Sequence, residues 1–137
     1  MLKIIIPFAV ILLLYGCEKD EISTYKLTIE INYDWPFDST DSFTPADNGT
    51  VIKQYLNIDS GQEQLVVDLE TNSLSIEGEV LVPASVKECD IYGRAVFEDI
   101  PEGLHSYLII SGNLEGEYSL FTIKTREKDQ IFSHIFR

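Results

Sequence analysis

Between Tyr25 and Tyr33 the chain alternates without a break: Tyr25, Leu27, Ile29, Ile31 and Tyr33 are apolar, and Lys26, Thr28, Glu30 and Asn32 between them are polar. A period of two sends successive side chains to opposite faces, so this stretch buries one face as a β-strand, whereas on a helix the same residues would scatter around the axis. The pattern recurs. Leu74, Ile76, Val80 and Val82 alternate with Ser75, Glu77 and Glu79, and further strand-like runs occupy 50–58, 64–70, 92–98, 105–111, 117–124 and 130–136. Asp-Ser-Gly, Thr-Asn, Pro-Glu-Gly and Gly-Asn-Leu-Glu-Gly separate them, all sequences that turn a chain. Nothing after residue 24 carries a helical period. The spacing predicts one all-β domain over 25–137, an antiparallel β-sandwich of seven to eight strands. A chain with 45% apolar and 11% aromatic residues has enough hydrocarbon for one core.

The first 16 residues obey different rules. Lys3 is followed by twelve residues without a charge, Ile4 to Tyr15, which match the charged head and short apolar core of an export signal. A membrane-spanning helix needs about 20 apolar residues to cross roughly 30 Å of hydrocarbon, so this run is too short to span well. Leu14-Tyr15-Gly16-Cys17 resembles the lipobox of bacterial lipoproteins, with an aliphatic residue three places before the cysteine and a small one directly before it. The resemblance implies cleavage after Gly16 and acylation of Cys17. Each buried methylene contributes about 0.8 kcal/mol, and stable anchoring takes two or more chains, so such a lipid would replace the removed apolar segment. Glu18-Lys19-Asp20-Glu21 follows, a charged tether over 17–24. Its Lys19, Asp20 and Glu21 resemble the surface-export signal of Bacteroidetes lipoproteins, which implies outer-membrane attachment facing outward.

Charge narrows the partners. Ten basic and 23 acidic residues give a net charge of −13, and loss of Lys3 with the signal would leave nine basic residues and a charge of −14. Binding a nucleic acid requires clustered Lys and Arg to neutralise phosphates, and there is no such cluster, so nucleic acid is excluded as a partner. Anionic headgroups would repel the same surface, which leaves the lipid on Cys17 as the means of membrane contact.

Within the domain, the stretch from Tyr92, YGRAVFEDIPEGLHSYLIISGN, resembles prealbumin-like β-sandwich modules, including the carboxypeptidase regulatory-like domains. Gly93, Ala95, Phe97, Ile100, Pro101 and Gly103 fit that pattern, and His105 stands where tyrosine is usual. The resemblance implies a prealbumin-like or immunoglobulin-like sandwich serving as a scaffold or binding unit. The residues account for the turn without it: Phe97 enters the core, Pro101 fixes its own φ and ends the strand, and Gly103 permits a positive φ.

Catalytic groups are sparse. Neither His105 nor His134 has a carboxylate beside it, and the chain lacks Gly-x-Ser-x-Gly, His-Glu-x-x-His, a phosphate loop and Cys-x-x-Cys. With Cys17 acylated, Cys89 has no partner for a disulfide, and Glu88 and Asp90 beside it disfavour the thiolate. The reading is a non-enzyme without cofactor or metal.

The least regular stretch is DWPFDSTDSFTPADNG, from Asp34 to Gly49. It exceeds an ordinary hairpin loop, and loops of about 12–15 residues or more are usually functional or disordered. It holds the only tryptophan, Trp35, together with Phe37 and Phe43. Either these aromatics fold back to plug one end of the sandwich, or they are displayed and stack on a sugar or a partner surface. Asp34, Asp38, Asp41 and Asp47 match no calcium-loop spacing. Asp38-Ser39-Thr40 resembles the O-glycosylation acceptor of exported Bacteroidetes proteins, which implies a sugar on Ser39.

These readings combine into an outer-membrane lipoprotein, exposed on the cell surface, whose sandwich binds a glycan or protein. The alternative is a structural subunit of a surface fibre. It rests on 130–137, where Ile131, Phe132, Ile135 and Phe136 make a strand apolar on both faces, able to complete its own sheet or to add to a neighbour's.

Overall fold

The computed structural model describes residues 24–34, 44–46 and 49–137, and all of their regular structure is β. Two sheets face each other. The first is built around β1 (Tyr25–Tyr33), with β11 (Asp129–Phe136) on one side and, on the other, β8 (Arg94–Ile100) and the two-residue β2 (Thr44–Pro45) sharing its length. The second runs β10 (Tyr118–Lys124), β9 (Leu104–Ile110), β3 (Val51–Tyr55), β7 (Ser85–Glu88). Seven longer strands and the short β2 thus make the sandwich.

The alternation in β1 does what its period requires. Leu27, Ile29, Ile31 and Tyr33 are buried, and they meet Ala95, Phe97 and Ile100 of β8, Ile52 of β3, Tyr107 and Ile109 of β9, and Ile123 of β10 in one core. At about 25 cal/mol per Å2, each large side chain fully buried here contributes roughly 1.5–3 kcal/mol. Phe97 lies edge-on to Tyr107 with ring centroids 5.3 Å apart. The Ile100–Gly103 turn forms as its residues dictate, with Gly103 at φ +142°.

Three features depart from the sequence expectation. The β1–β11 pair is parallel, with Lys26 beside Asp129 through Tyr33 beside Phe136. The connection after β10 crosses from one sheet to the other, so β11 starts at the same end of the sandwich as β1 and must run with it. The alternating stretch from Leu74 to Val82 is not one strand but a hairpin, β5 (Ser73–Ile76) and β6 (Glu79–Val80), because Glu77 (φ +51°) and Gly78 (φ +82°) form a tight turn of the kind that matches strand twist. With β4 (Leu65–Asp68) it makes a third, three-stranded sheet. Finally, β7 went unanticipated; it is an exposed edge strand whose residues carry no apolar rhythm.

The third sheet covers the outer side of the second. Leu74 packs with Tyr55 and Leu108, and Leu65, Val67, Leu81, Ile110 and Leu120 close around them. β9 is therefore buried on both faces, Tyr107 and Ile109 inward and Leu108 outward, which accounts for its nearly unbroken apolar run.

Candidate functional site at the distal pole

β1 begins just after Thr24 at one pole of the sandwich and ends at Asp34 at the other, roughly 25–30 Å away at about 3.3 Å per residue. Asp34 and Thr44 bracket residues 35–43, and Thr44 pairs with Tyr33, so that segment leaves and rejoins the fold at neighbouring points of the distal pole. Trp35, Phe37, Phe43 and Ser39 lie outside the described residues, as do Cys17, Lys19, Asp20 and Glu21 of the tether.

The base from which the segment departs is firmly held. The Tyr33 hydroxyl lies 3.1 Å from Thr50 Oγ1 and 2.6 Å from Ser111 Oγ, which joins β1 to the start of β3 and the end of β9. Gly112 N–H donates to Thr50 Oγ1 at 3.2 Å and Leu114 N–H to Ser111 Oγ at 2.9 Å. The Tyr33 ring stacks on Phe136 at 5.5 Å, and Asp34 N–H donates to the Phe136 carbonyl at 2.9 Å. An aromatic body with a bonded hydroxyl suits a site that is dry on one side and polar on the other.

Beside this base the β7–β8 turn presents two side chains that sequence reasoning missed. Ile91 is 70% exposed and Tyr92 is 65% exposed, both on a turn without slack. Asp90 Oδ1 accepts from Tyr92 N–H at 2.8 Å and from Arg94 N–H at 3.0 Å, while Gly93 N–H donates to the Asp90 carbonyl at 2.9 Å. The Gly93 carbonyl accepts from Ile31 N–H at 2.8 Å. Gly93 has φ +73°, and a Cβ there would stand 2.3 Å from the Ile31 carbonyl oxygen and 2.9 Å from Ala46 N, so only glycine lets the turn lie flat against β1 and the residues after β2. Reading Tyr92 as the first residue of a strand hid this. The signal that could have found it is the Asx pattern, Asp90 three residues before Gly93.

Both histidines have structural employment. His105 is fully buried; its Nδ1 accepts from Asn57 N–H at 2.9 Å, which leaves Nε2 to donate to the Pro101 carbonyl at 2.7 Å. The ring is fixed as one neutral tautomer, pinning the Pro101–Gly103 turn to the segment after β3. His134 is half-buried between Phe121 and Phe136, at centroid distances of 4.9 and 4.7 Å, with Nε2 2.9 Å from Ser119 Oγ. Burial lowers its pKa below the ordinary 6.5. Cys89 is buried in the main core, and burial first, then Asp90 and Glu88, push its thiol up to about 11. It is a protonated, shielded sulfur. Among the described residues, no group of three or more His, Cys, Asp and Glu gathers that could hold a metal ion.

No family model matches the chain, and no curated protein does. Solved structures similar to it include three bacterial proteins. The TIE protein of Bacillus anthracis is 20% identical over 82% of this chain and 17% of its own, with a TM-score of 0.43. The minor pilin GBS52 of Streptococcus agalactiae is 18% identical over 84% of this chain and 44% of its own, with a TM-score of 0.47. A candidate carbohydrate-binding protein, PA1324 of Pseudomonas aeruginosa, is 12% identical over 88% of this chain and 94% of its own, with a TM-score of 0.46. The chain thus spans less than half of the first two. With all three TM-scores below 0.5, the functional reading rests on this chain's own residues.

Proposed function

We propose that this is a lipid-anchored protein of the bacterial outer surface whose sandwich binds a glycan or protein partner without catalysis. The carrying observation is the placement of the two ends of β1. The tether, with Cys17 and the export residues Lys19, Asp20 and Glu21, leads into the start of β1, and the aromatic segment follows its end. A lipid at one pole directs the other away from the membrane, which is where a contact surface is useful. Trp35, Phe37 and Phe43 supply the aromatic contacts, and Ile91 and Tyr92 extend them on a rigid turn that needs little ordering on binding. A sugar on Ser39 would suit the same exposed pole. His105 has both ring nitrogens committed to backbone partners, and His134 is packed among aromatic rings with its Nε2 beside Ser119 Oγ.

The fibre reading is supported less well. The strand that motivated it, β11, completes its own sheet along its whole length, so it is not a strand waiting to be donated.

The test has two arms. Mass spectrometry of the N-terminal peptide should find acyl chains on Cys17, Cys17→Ser should leave an uncleaved precursor, and protease applied to intact cells should remove the wild-type domain. Separately, the protein should be screened on a glycan array and in pull-downs from cell-surface extracts. Trp35→Ala or Tyr92→Ala should weaken whatever binds by about tenfold or more, the effect of removing an aromatic anchor. An unacylated mature Cys17 sinks the anchoring half, and blank screens with the wild type sink the binding half.

A further inference from the structure

The outer edge of β11 is an exposed strand edge among the described residues, and it has none of the usual protections. Edge strands normally carry a central charge, a proline or a bulge that discourages another strand from pairing. β11 pairs with β1 in an unbroken register, contains no proline, and has no Lys, Arg, Asp or Glu between Asp129 and Arg137. Ile131 is 66% exposed on the outer face of the sheet, where the monomer has no use for it.

The backbone fixes which groups are offered. The Lys128 carbonyl accepts from Lys26 N–H and the Phe136 carbonyl from Asp34 N–H, so the even-numbered residues turn their N–H and C=O groups toward β1. Asp129, Ile131, Ser133 and Ile135 turn theirs outward. Read about Ser133, these residues and Arg137 form a palindrome in chemistry: Asp129 is mirrored by Arg137, and Ile131 by Ile135.

We infer that β11 pairs antiparallel with β11 of a second copy of this chain, about a two-fold axis through Ser133, joining two sandwiches into one continuous sheet. In that register every outward backbone group of one copy faces an outward group of the other. Asp129 lies beside Arg137 of the second copy at each end of the seam, Ile131 covers Ile135, and the two Ser133 residues face each other at the centre. A shift in register separates the opposite charges and moves the isoleucines off each other, which selects this alignment. The two-fold makes the contact self-complementary, so it closes at a dimer rather than growing into a filament. The inference does not depend on the pole being a binding site.

Ser133→Cys in the full chain tests it. Residues opposite each other in a hydrogen-bonded antiparallel pair have Cα atoms about 5.5 Å apart, within the range a disulfide bridges. Under mild oxidation in detergent, Ser133→Cys should form a cross-linked dimer at least about tenfold faster than Asp68→Cys on the third sheet, with wild type as the background for Cys17 and the shielded Cys89. Sedimentation of cysteine-unaltered protein gives an independent measure. Arg137→Asp, which sets two acids together at both ends, should weaken the dimer by about tenfold, and adding Asp129→Arg should restore it. Cross-linking no faster than at residue 68, a monomeric wild type, or a double variant no better than Arg137→Asp alone would each overturn the inference.

Discussion

The two histidines show how one residue type takes opposite characters from its surroundings. His105 is locked by two backbone partners, whereas His134 is half-buried among aromatic rings with Ser119 Oγ beside its Nε2, and burial lowers its pKa. The folded state therefore holds the neutral ring more firmly than the unfolded chain does. Stability from this group is intact above the unfolded pKa of about 6.5 and falls as pH drops below it, where the unfolded chain takes up a proton and the folded one does not. Urea midpoints measured from pH 7.5 down to pH 5 should decline for the wild type and decline less for His134→Phe, which keeps the ring packing against Phe121. Equal slopes would show that other groups set the acid response. The sequence could not tell these two roles apart, because Asn57, Pro101 and Ser119 come from other segments.

At the scale of elements, legibility follows from how much of a strand's environment its own residues determine. β1 was readable to the residue because one face is buried and the other wet. β5 and β6 were not, since Glu77 and Gly78 continue the alternation on paper while bending it in space, and a hairpin and a strand share the same period. β7 gave no signal because an edge strand is placed by its neighbours, Val51 through Gln54 of β3, and not by a buried face of its own. The direction of β11 depended on a crossover that no local pattern encodes. Its necessity is clear nonetheless. Phe132 and Phe136 pack into the main core, and Phe121 lies 4.9 Å from Phe132. Stopping the chain at Lys128 removes the buried Phe136, worth about 3–5 kcal/mol, and the half-buried Phe132, together with a full strand of hydrogen bonds, against a total stability of about 5–15 kcal/mol. The truncated protein should be unfolded by circular dichroism and amide dispersion; a folded truncation would mean that β11 is an accessory to the sandwich.

For the molecule as a whole, the sequence yielded the fold class, the two candidate functional ends and the single strand between them, but not that Ile91 and Tyr92 stand beside the end of that strand. The placement of both ends on one strand has a mechanical consequence. If a partner grips residues 35–43 while the membrane holds Cys17, tension enters at Asp34, runs down the covalent backbone of β1 and leaves through the tether. No hydrogen bond lies in series with the load, so the domain can be tugged without being opened. Pulling instead on Arg137 against the tether would load β1 and β11 in shear along their eight paired positions, and the whole ladder would have to fail together. Single-molecule stretching between the N-terminus and a handle at Asp34 should therefore show no unfolding event, whereas stretching between the N-terminus and Arg137 should show one abrupt rupture. A rupture of equal force in both geometries would mean that the load path leaves β1. The strand that makes the core would also be the cable of an anchored binder, and the rest of the sandwich would be the housing around it.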